Sequence, residues 1–259
     1  METVERLISV LSEFNIYDVM RLEEKYDVQY SALKRLYESL DRPNVFLCLI
    51  VLNAICSYQL NCTGEEFWSL FSKYFSLNAS RLSEIMNIES IVGMYSDFLS
   101  SCRCSKRLLA QKMKRISKVK PLLAKVMEDP RIYAEDPKLL QVELSKYLGA
   151  KWNTKTIVFT VKMFNYGARI SLGVRRALPQ DIPIPVDYRL KRISQSLGVK
   201  GDVQEFWQEL SNKTGIPPLH LDTLLWVGYR YAMEGKLTDD EKFNKLIEFL
   251  RGFLEAKTG

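Results

Sequence analysis

The chain has 259 residues, enough to bury a sizeable core, and its 47% hydrophobic and 26% charged residues are typical of a folded globular protein. A formal net charge of +6 permits an anionic partner without identifying one. The longest apolar run, residues 45–52, is too short to span a bilayer, and the N-terminus carries Glu2 and Glu5 where a signal peptide would be basic. The composition therefore argues against disordered, membrane-spanning and secreted proteins.

Cysteine and histidine are too sparse to support most metal-based or histidine-based chemistry. The five cysteines are Cys48, Cys56, Cys62, Cys102 and Cys104. Their odd number, without a secretory signal, predicts reduced thiols, and no CxxC pair or nearby histidine favours a metal site. The one histidine, His220, follows two prolines at a predicted helix start, where we expect a solvated or capping role. Acid–base chemistry would therefore fall to lysine, aspartate and glutamate side chains.

Hydrophobic residues recur with helical spacing along nearly the whole chain, and no run alternates as a strand would. Predicted helices in the first part cover residues 3–14, 17–25, 28–40, 45–58, 79–100, 105–127 and 138–148, with one more that begins after Thr63. Later helices begin near Thr154 and Asp187 and cover residues 202–213, 219–233 and 242–254. Capping boxes are predicted at Thr63-Gly64-Glu65-Glu66 and Thr238-Asp239-Asp240-Glu241, and linkers at Asp129-Pro130 and Asp136-Pro137. The sequence therefore predicts an all-α protein.

Residues 147–190 contain the strongest pattern in the chain. One helix is predicted to end near Gly149, and after a tight turn the next begins near Thr154. That second helix has one stripe of cationic and aromatic side chains and another that is purely apolar and can pack inward. The first stripe consists of Lys155, Phe159, Lys162 and Tyr166, and the second of Ile157, Val161, Phe164 and Ala168. A lysine that heads such a stripe is a candidate for chemistry.

Two prolines stiffen the approach to the following helix. Proline pushes the residue before it into extended conformations, so residues 182–186 are predicted to form a rigid extended segment. Asp187 then stands where a helix N-cap is expected, and the helix dipole and free amides there favour an ionised carboxylate. The pattern predicts a carboxylate that is held in place by a rigid approach.

The succession of helix, turn, lysine-bearing helix and Ile184-Pro185-Val186-Asp187-Tyr188-Arg189 resembles the helix-hairpin-helix DNA glycosylases, most sharply over residues 146–231. Among these the chain is most similar to the archaeal 8-oxoguanine DNA glycosylase (AGOG) family, whose members are about this size. The resemblance implies one domain over residues 1–259, in which two helical lobes and the hairpin motif, at about residues 138–170, flank a DNA-binding cleft. Only Gly149 remains of the usual two hairpin glycines. No cysteine follows Cys104, which excludes the C-terminal iron–sulfur cluster of some related enzymes.

The resemblance assigns the chemistry to Lys155 and Asp187. An uncharged Lys155 amine would attack the sugar C1′ carbon, expel the base and form a Schiff base that permits β-elimination. Burial beside an aromatic side chain and near Lys162 would favour the uncharged form. Asp187 would stabilise the positive charge that develops on the sugar and help to move protons. No metal or cofactor is required. From the pattern alone, Lys155 could also be an ordinary helix lysine and Asp187 a plain N-cap.

The resemblance also implies a pocket for a base that has flipped out of the duplex. Phe159 and Trp226 would hold the base between them. Asp222 lies four residues before Trp226 on one predicted helix and would accept the N1–H and N2–H groups of a guanine-type base. Gln29 and the indole of Trp68 would recognise the N7–H and O8 groups that distinguish 8-oxoguanine.

Three of these pocket assignments have open alternatives. Trp68 could equally be a core aromatic residue, and Gln29 could be a surface residue. Lys162 is expected beside the substrate, where it could neighbour either the base pocket or Asp187.

Contacts with the DNA backbone are expected from the hairpin and from nearby basic residues. The hairpin candidates are Gly149, Lys151 and Asn153, and the basic candidates after the proline segment are Arg189, Lys191 and Arg192. A further basic run is expected to be a solvated helix face, and it consists of Lys112, Lys114, Arg115, Lys118 and Lys120.

We therefore expect a monomeric DNA glycosylase and abasic-site lyase that excises 8-oxoguanine from DNA, in the cytoplasm of a prokaryote and associated with its nucleoid. One alternative is a helix-hairpin-helix glycosylase for another oxidised base, such as an oxidised pyrimidine, which would not need the acceptors of Asp222. The other is a module that binds DNA structure without cutting it. Such a module would need neither Lys155 nor Asp187.

Overall fold

The computed structural model describes residues 2–84 and 87–255. Within these residues the chain forms fifteen α-helices and one short 3-10 helix, and no β-strand. The prediction of an all-α protein is confirmed. None of the described helices is long and apolar enough to cross a membrane.

Most of the helices follow one another with short connections. The first eight are α1 (Glu2–Leu11), α2 (Ile16–Tyr26), α3 (Val28–Leu40), α4 (Pro43–Cys56), α5 (Gly64–Leu77), α6 (Ala79–Ser83), α7 (Ile88–Ser101) and α8 (Leu109–Glu128), with the 3-10 helix at Arg103–Ser105 before α8. The rest are α9 (Pro130–Glu135), α10 (Pro137–Leu148), α11 (Lys155–Leu172), α12 (Tyr188–Ser196), α13 (Val203–Thr214), α14 (Pro218–Met233) and α15 (Glu241–Glu255). By contrast with the short connections, the one from α11 to α12 covers residues 173–187.

The helices belong to two compact units. The first, here called the continuous unit, consists of residues Val28–Arg176. The second, the two-segment unit, consists of Met1–Asp27 together with Ala177–Gly259. The hairpin and Lys155 lie in the continuous unit, whereas Asp187 lies in the two-segment unit.

The continuous unit is built around α4, whose side chains from Val45 to Cys56 are all buried. α11 packs directly against it. A Cβ atom at Gly167 of α11 would lie only 2.4 Å from Cδ1 of Ile50 and 2.7 Å from Cδ2 of Leu47, so glycine is what permits this close approach. The helix that begins with Lys155 is therefore packed closely, around Gly167, against the most buried helix of the unit.

The core of the two-segment unit joins α1 and α2 to α12–α15, with Leu7, Val19, Leu224 and Phe243 among its buried members. Ile184 of the proline segment belongs to the same core, and its carbonyl accepts a hydrogen bond of 3.0 Å from Nε2 of Gln204. The segment before Asp187 is thus held by burial and by hydrogen bonding as well as by its prolines.

Helix caps explain several boundaries that the sequence predicted only in part. Thr63 is the N-cap of α5 as predicted, with its hydroxyl accepting from the amide of Glu66 at 3.1 Å. The other half of the predicted capping box is not formed, because the Glu66 carboxylate pairs with Arg103. At α15 the predicted cap is wrong by two residues, because Asp240 accepts from the amide of Phe243 at 2.9 Å. Thr238 instead accepts from the amide of Asp240 at 3.1 Å. Aspartate is at least as good an N-cap as threonine, so the nearer residue takes the position.

The two Asp-Pro pairs lie at very short connections between helices, as predicted, with Asp129 between α8 and α9 and Asp136 between α9 and α10. Asp129 and Asp136 are the N-caps of α9 and α10, and the proline after each occupies the first helical position, where its missing N–H costs nothing. The prediction of a single helix over residues 79–100 is wrong, because this range contains two helices. α6 ends at Ser83, and Asn87 caps α7 by accepting from the amide of Ser90. Residues 85 and 86 of that prediction lie outside the described residues.

One disulfide corrects the prediction that all the cysteines are reduced. Cys62 and Cys104 are bonded to each other, whereas the other three cysteines are free and buried. The pair is 42 residues apart in sequence, and tertiary packing brings the two Cα atoms within 5.3 Å. The amide of Asn61 also donates to the carbonyl of Cys104 at 2.9 Å, so the loop before α5 is held to the 3-10 helix twice.

Candidate active site

α10 and α11 form a helical hairpin that is joined by residues 149–154. Gly149 ends α10 with a φ of 63°, a left-handed conformation that glycine adopts without a Cβ penalty. The amides of Gly149 and Ala150 both donate to the carbonyl of Ser145, and the Ser145 hydroxyl donates back to the carbonyl of Ala150 at 2.6 Å. Nε2 of Gln141 donates to the carbonyl of Trp152 at 3.1 Å. The turn is therefore ordered by α10 itself, and it leaves the side chain of Lys151 exposed.

α11 begins directly after this turn, with Asn153 half-buried before it and Lys155 at its first residue. The Lys155 side chain is exposed, and Phe159, one turn later, is half-buried. Lys162 is only 2% exposed, with Nζ 5.8 Å from the ring centre of Tyr166. The apolar stripe is buried as predicted, but burial around Lys155 is not observed, because the first turn of α11 extends beyond the core. Lys155 is thus an accessible amine at a helix N-terminus.

Two further pocket candidates lie inside the continuous unit. Trp68 of α5 is fully buried, and its ring centre lies 6.2 Å from that of Phe159 at an interplanar angle of 71°. Its Nε1–H is buried and has no hydrogen-bond partner within the described residues, an arrangement that costs free energy unless a ligand supplies an acceptor. Gln29, at the start of α3, is only 3% exposed, so the alternative of a surface residue is wrong.

Asp187 is the N-cap of α12, as predicted. Its Oδ1 atom accepts from the amide of Leu190 at 2.8 Å. Its Oδ2 atom accepts from Nε1 of Trp226 at 3.2 Å. With one donor on each oxygen, the carboxylate has a defined orientation.

Trp226 connects Asp187 to a second charged side chain. The guanidinium carbon of Arg189 lies 4.0 Å from the Trp226 ring centre, and its Nη1 donates to the Trp226 carbonyl at 3.4 Å. Asp222, one turn earlier on α14, is 6% exposed. The two-segment unit therefore brings Asp187, Arg189 and Trp226 into contact, with Asp222 on the same helix as Trp226. The predicted phosphate partner Arg189 lies against an aromatic ring in this arrangement.

His220 is not solvated, contrary to the sequence-based expectation. It is fully buried, and its Nε2 accepts from the amide of Leu178 at 3.0 Å. Its Nδ1 must therefore carry the hydrogen, and it lies 2.7 Å from Oε1 of Glu23. The ring links α2 and α14 to the start of the segment that leads to Asp187, which is a structural role.

The basic run on α8 is only partly a solvated face. Lys112 is fully buried, its Nζ donates to the carbonyl of Ser105 at 3.2 Å, and burial lowers its pKa. Arg115 is half-buried, whereas Lys114 is exposed. Lys112 and Arg115 are three residues apart and so lie on one helix face. The spacing places the two side chains on one face but does not show that this face points inward.

Comparison with known proteins places this geometry in context. Residues 8–257 match the family described as AGOG: N-glycosylase/DNA lyase. The chain is 38% identical over 252 residues to the N-glycosylase/DNA lyase of Thermococcus kodakarensis, covering 95% of this chain and 93% of the relative. It is 39% identical over 238 residues to the N-glycosylase/DNA lyase of Methanopyrus kandleri, covering 92% of this chain and 94% of the relative. The crystal structure of an 8-oxoguanine DNA glycosylase from Pyrobaculum aerophilum, complexed with 8-oxoguanosine, superposes with a TM-score of 0.79 and 32% identity over 96% of each chain.

An all-α fold with a lysine at the start of the helix after a hairpin, and an aspartate downstream that caps the next helix, defines the class of helix-hairpin-helix DNA glycosylases. Within that class, the chain belongs to the AGOG family of N-glycosylase/DNA lyases. It is accordingly a bifunctional enzyme that cleaves an N-glycosidic bond and then the DNA strand.

Proposed function

We propose that the base removed by this enzyme is 8-oxoguanine in DNA. The observation that carries the proposal is the buried Nε1–H of Trp68, which has no acceptor within the described residues and lies beside Phe159. The O8 atom of 8-oxoguanine is an acceptor that guanine lacks, so a donor held in this way would favour the oxidised base. The similarity to the Pyrobaculum aerophilum enzyme, whose crystal structure contains 8-oxoguanosine, supports the same substrate.

Lys155 is the proposed nucleophile. Its exposed amine, at the first residue of α11, can reach a substrate without any rearrangement of the core. Attack of the amine on C1′ breaks the glycosidic bond, and the base leaves with its electron pair. The amine then loses a proton, and the C1′–O4′ bond of the sugar breaks, so that O4′ leaves as a hydroxyl and C1′ becomes a Schiff base with Nζ. Loss of a proton from C2′ of this Schiff base permits β-elimination, which breaks the 3′ C–O bond and releases the 3′ phosphate. Covalent catalysis of this kind joins the two activities of the family through one intermediate.

Asp187 is the proposed charge-stabilising carboxylate. The amide of Leu190 and the indole of Trp226 hold its two oxygens, and this fixes a negative charge for the sugar cation to develop against. A carboxylate that is already oriented needs no reorganisation during the reaction, which is why the two hydrogen bonds matter for the rate.

The other pocket residues have proposed roles in base recognition. Phe159 and Trp226 each offer an aromatic surface for stacking, and Asp222 accepts the N1–H and N2–H groups of the base. Gln29 recognises the N7–H group, and Lys162, which is buried on the same helix as Phe159, is proposed to lie beside the substrate.

Binding of undamaged DNA is proposed to depend on the hairpin and on Arg189. The amides and side chains of Gly149, Lys151 and Asn153 would contact phosphates, as would Arg189 if it leaves the Trp226 ring. We further propose that residues 1–259 act as one glycosylase domain with the hairpin motif at about residues 138–170, that the protein is a monomer, and that it is associated with the nucleoid of a prokaryote. The similarity of nearly the whole chain to N-glycosylase/DNA lyases of similar length supports the proposal of one domain.

Borohydride trapping tests the chemistry and its nucleophile together. Duplexes that carry one 8-oxoguanine, one oxidised pyrimidine or no lesion are incubated with the parent protein and with Lys155→Gln. We expect a covalent adduct only between the parent and the 8-oxoguanine duplex. An adduct that persists in the variant would assign the Schiff base to another amine. Trapping on the oxidised pyrimidine alone would contradict the proposed substrate.

A further inference from the structure

Arg115 of α8 reaches the first turn of α11 through its half-buried side chain. Its Nη1 atom donates to the Thr156 hydroxyl at 3.4 Å and to the carbonyl of Ile55 at 3.3 Å. The guanidinium carbon lies 4.2 Å from the ring centre of Tyr58, so an aromatic ring supports the charged group from one face. The side chain is thus held by three contacts and is not a mobile surface cation.

The same helix also contacts the helix before the turn. Nζ of Lys118, one turn after Arg115, lies 3.5 Å from the carbonyl of Leu148 at the end of α10. α8 therefore places one basic side chain at the end of α10 and one at the start of α11, on either side of residues 149–154.

The first turn of α11 has few restraints of its own. Thr154 is the N-cap residue, but its hydroxyl makes no capping hydrogen bond and has no partner within the described residues. Uncapped helix starts fray more readily because several amides lack partners. Lys155 is the first residue of this turn and Thr156 the second. A hydrogen bond to Thr156 is therefore a restraint on the backbone that carries Lys155.

We propose that Arg115 is a positioning residue that acts on Lys155 through Thr156. It holds the first turn of α11 in the conformation from which the Lys155 amine attacks the substrate. This inference rests on the proposed role of Lys155 as nucleophile. It assigns a function to a basic residue that neither lies at the hairpin nor faces fully into solvent.

A double-mutant cycle on Arg115→Met and Thr156→Val tests the proposal. The rate of 8-oxoguanine release is measured in a single turnover, and the dissociation constant is measured with an undamaged duplex by fluorescence anisotropy. We expect each single variant to lower the rate about tenfold, as the loss of a hydrogen bond to a charged group would. The double variant should be no slower than the slower single variant. The dissociation constant should change less than twofold.

Two matched variants separate positioning from loss of charge or of packing. Lys114→Met removes one positive charge from an exposed position of the same helix and should keep the parental rate. Thr156→Ser keeps the acceptor oxygen and should restore most of the rate that Thr156→Val loses. If Arg115→Met does not fold, as judged by circular dichroism, the comparison of serine with valine at residue 156 carries the test.

Each contrary outcome has a distinct meaning. Multiplicative rate effects in the double variant would overturn the positioning role, and so would a parental rate in Thr156→Val. If Arg115→Met raises the dissociation constant for undamaged duplex and leaves the rate of 8-oxoguanine release unchanged, Arg115 is a DNA-contact residue. A parent protein that releases base but forms no trapped adduct with Lys155 would overturn the proposed nucleophile, and this inference with it.

Discussion

The Asp187 carboxylate accepts one hydrogen bond on each oxygen, and the two donors differ in how far the sequence reveals them. The amide of Leu190 follows from the N-cap position, three residues away, and a capping aspartate could be predicted from the chain alone. The indole of Trp226 is 39 residues away and approaches only because α14 packs beside α12. The family resemblance predicts Trp226 as a stacking residue, and no local pattern indicates a hydrogen bond to the carboxylate.

Replacing Trp226 with phenylalanine should separate these two roles. Phenylalanine keeps an aromatic surface and removes the N–H that holds Oδ2 of Asp187. We expect Trp226→Phe to slow single-turnover release of 8-oxoguanine by about tenfold or more, because a hydrogen bond to a charged group contributes roughly 1.5–3 kcal/mol. Trp207→Phe is the matched control. Nε1 of Trp207 donates to the Ser194 hydroxyl in the same unit, so its loss should lower stability and leave the rate unchanged. A parental rate in Trp226→Phe would show that the indole N–H does not serve the chemistry.

At the level of elements, the hairpin depends on one backbone conformation that only Gly149 adopts cheaply. Its φ of 63° lets the amides of residues 149 and 150 satisfy the end of α10 and turns the chain towards α11. No atom lies within 4 Å of a Cβ placed at Gly149, so a substitution there meets backbone strain and no clash.

Gly149→Ala should therefore destabilise the protein by about 1–2 kcal/mol, the cost of a left-handed L-residue. If the hairpin binds phosphates as proposed, the affinity for undamaged duplex should fall as well. Gly93→Ala is a suitable control, because Gly93 lies inside α7, has no atom within 4 Å of a Cβ and has an ordinary φ. Alanine there should stabilise by about 0.5–1 kcal/mol. Chemical unfolding of both variants measures the difference, and equal effects at the two positions would contradict the argument.

Capping residues and glycines in the sequence predict most of the helix boundaries. The prediction fails where two neighbouring residues both suit the same capping position. The glycine after α10, the threonine before α5 and the aspartate before α12 each marked a boundary that the structure has. Thr238 and Asp240 both suit an N-cap, and spacing alone did not decide between them. Lys112 and Arg115 were predicted as solvated because composition gives no direction to a charged side chain. Their direction depends on Tyr58 and Ser105, which other parts of the chain supply.

At the level of the whole molecule, the disulfide could not be predicted from the sequence, and the reason is physical. The number of cysteines does not reveal which two sulfur atoms will meet, because that depends on how the chain between Cys62 and Cys104 folds. The bond joins the loop before α5 to the 3-10 helix before α8, and it encloses α5, α6 and α7 within one covalent loop. Its effect on stability is therefore global.

Reduction of this disulfide should lower the free energy of unfolding by about 4 kcal/mol, the chain-entropy contribution of a loop of 42 residues. The cause lies in the unfolded state, which gains conformations when the loop opens. The test uses protein purified without reductant. Its free energy of unfolding in guanidinium is measured with and without a phosphine that reduces the disulfide. In the variant Cys62→Ala/Cys104→Ala the phosphine should leave the free energy of unfolding unchanged.

Thiol titration identifies the cysteines independently of stability. Denatured, unreduced protein should expose three reactive thiols, Cys48, Cys56 and Cys102, and reduction should raise the number to five. In the folded protein Cys56 should react slowly near neutral pH, because burial raises the pKa of its thiol to about 12 and leaves little thiolate. Five reactive thiols in the denatured, unreduced protein would contradict the disulfide. In that case no covalent bond would hold the loop before α5, or the helix that carries Trp68, to the 3-10 helix. The hydrogen bond from Asn61 and the ion pair between Glu66 and Arg103 would then hold them together.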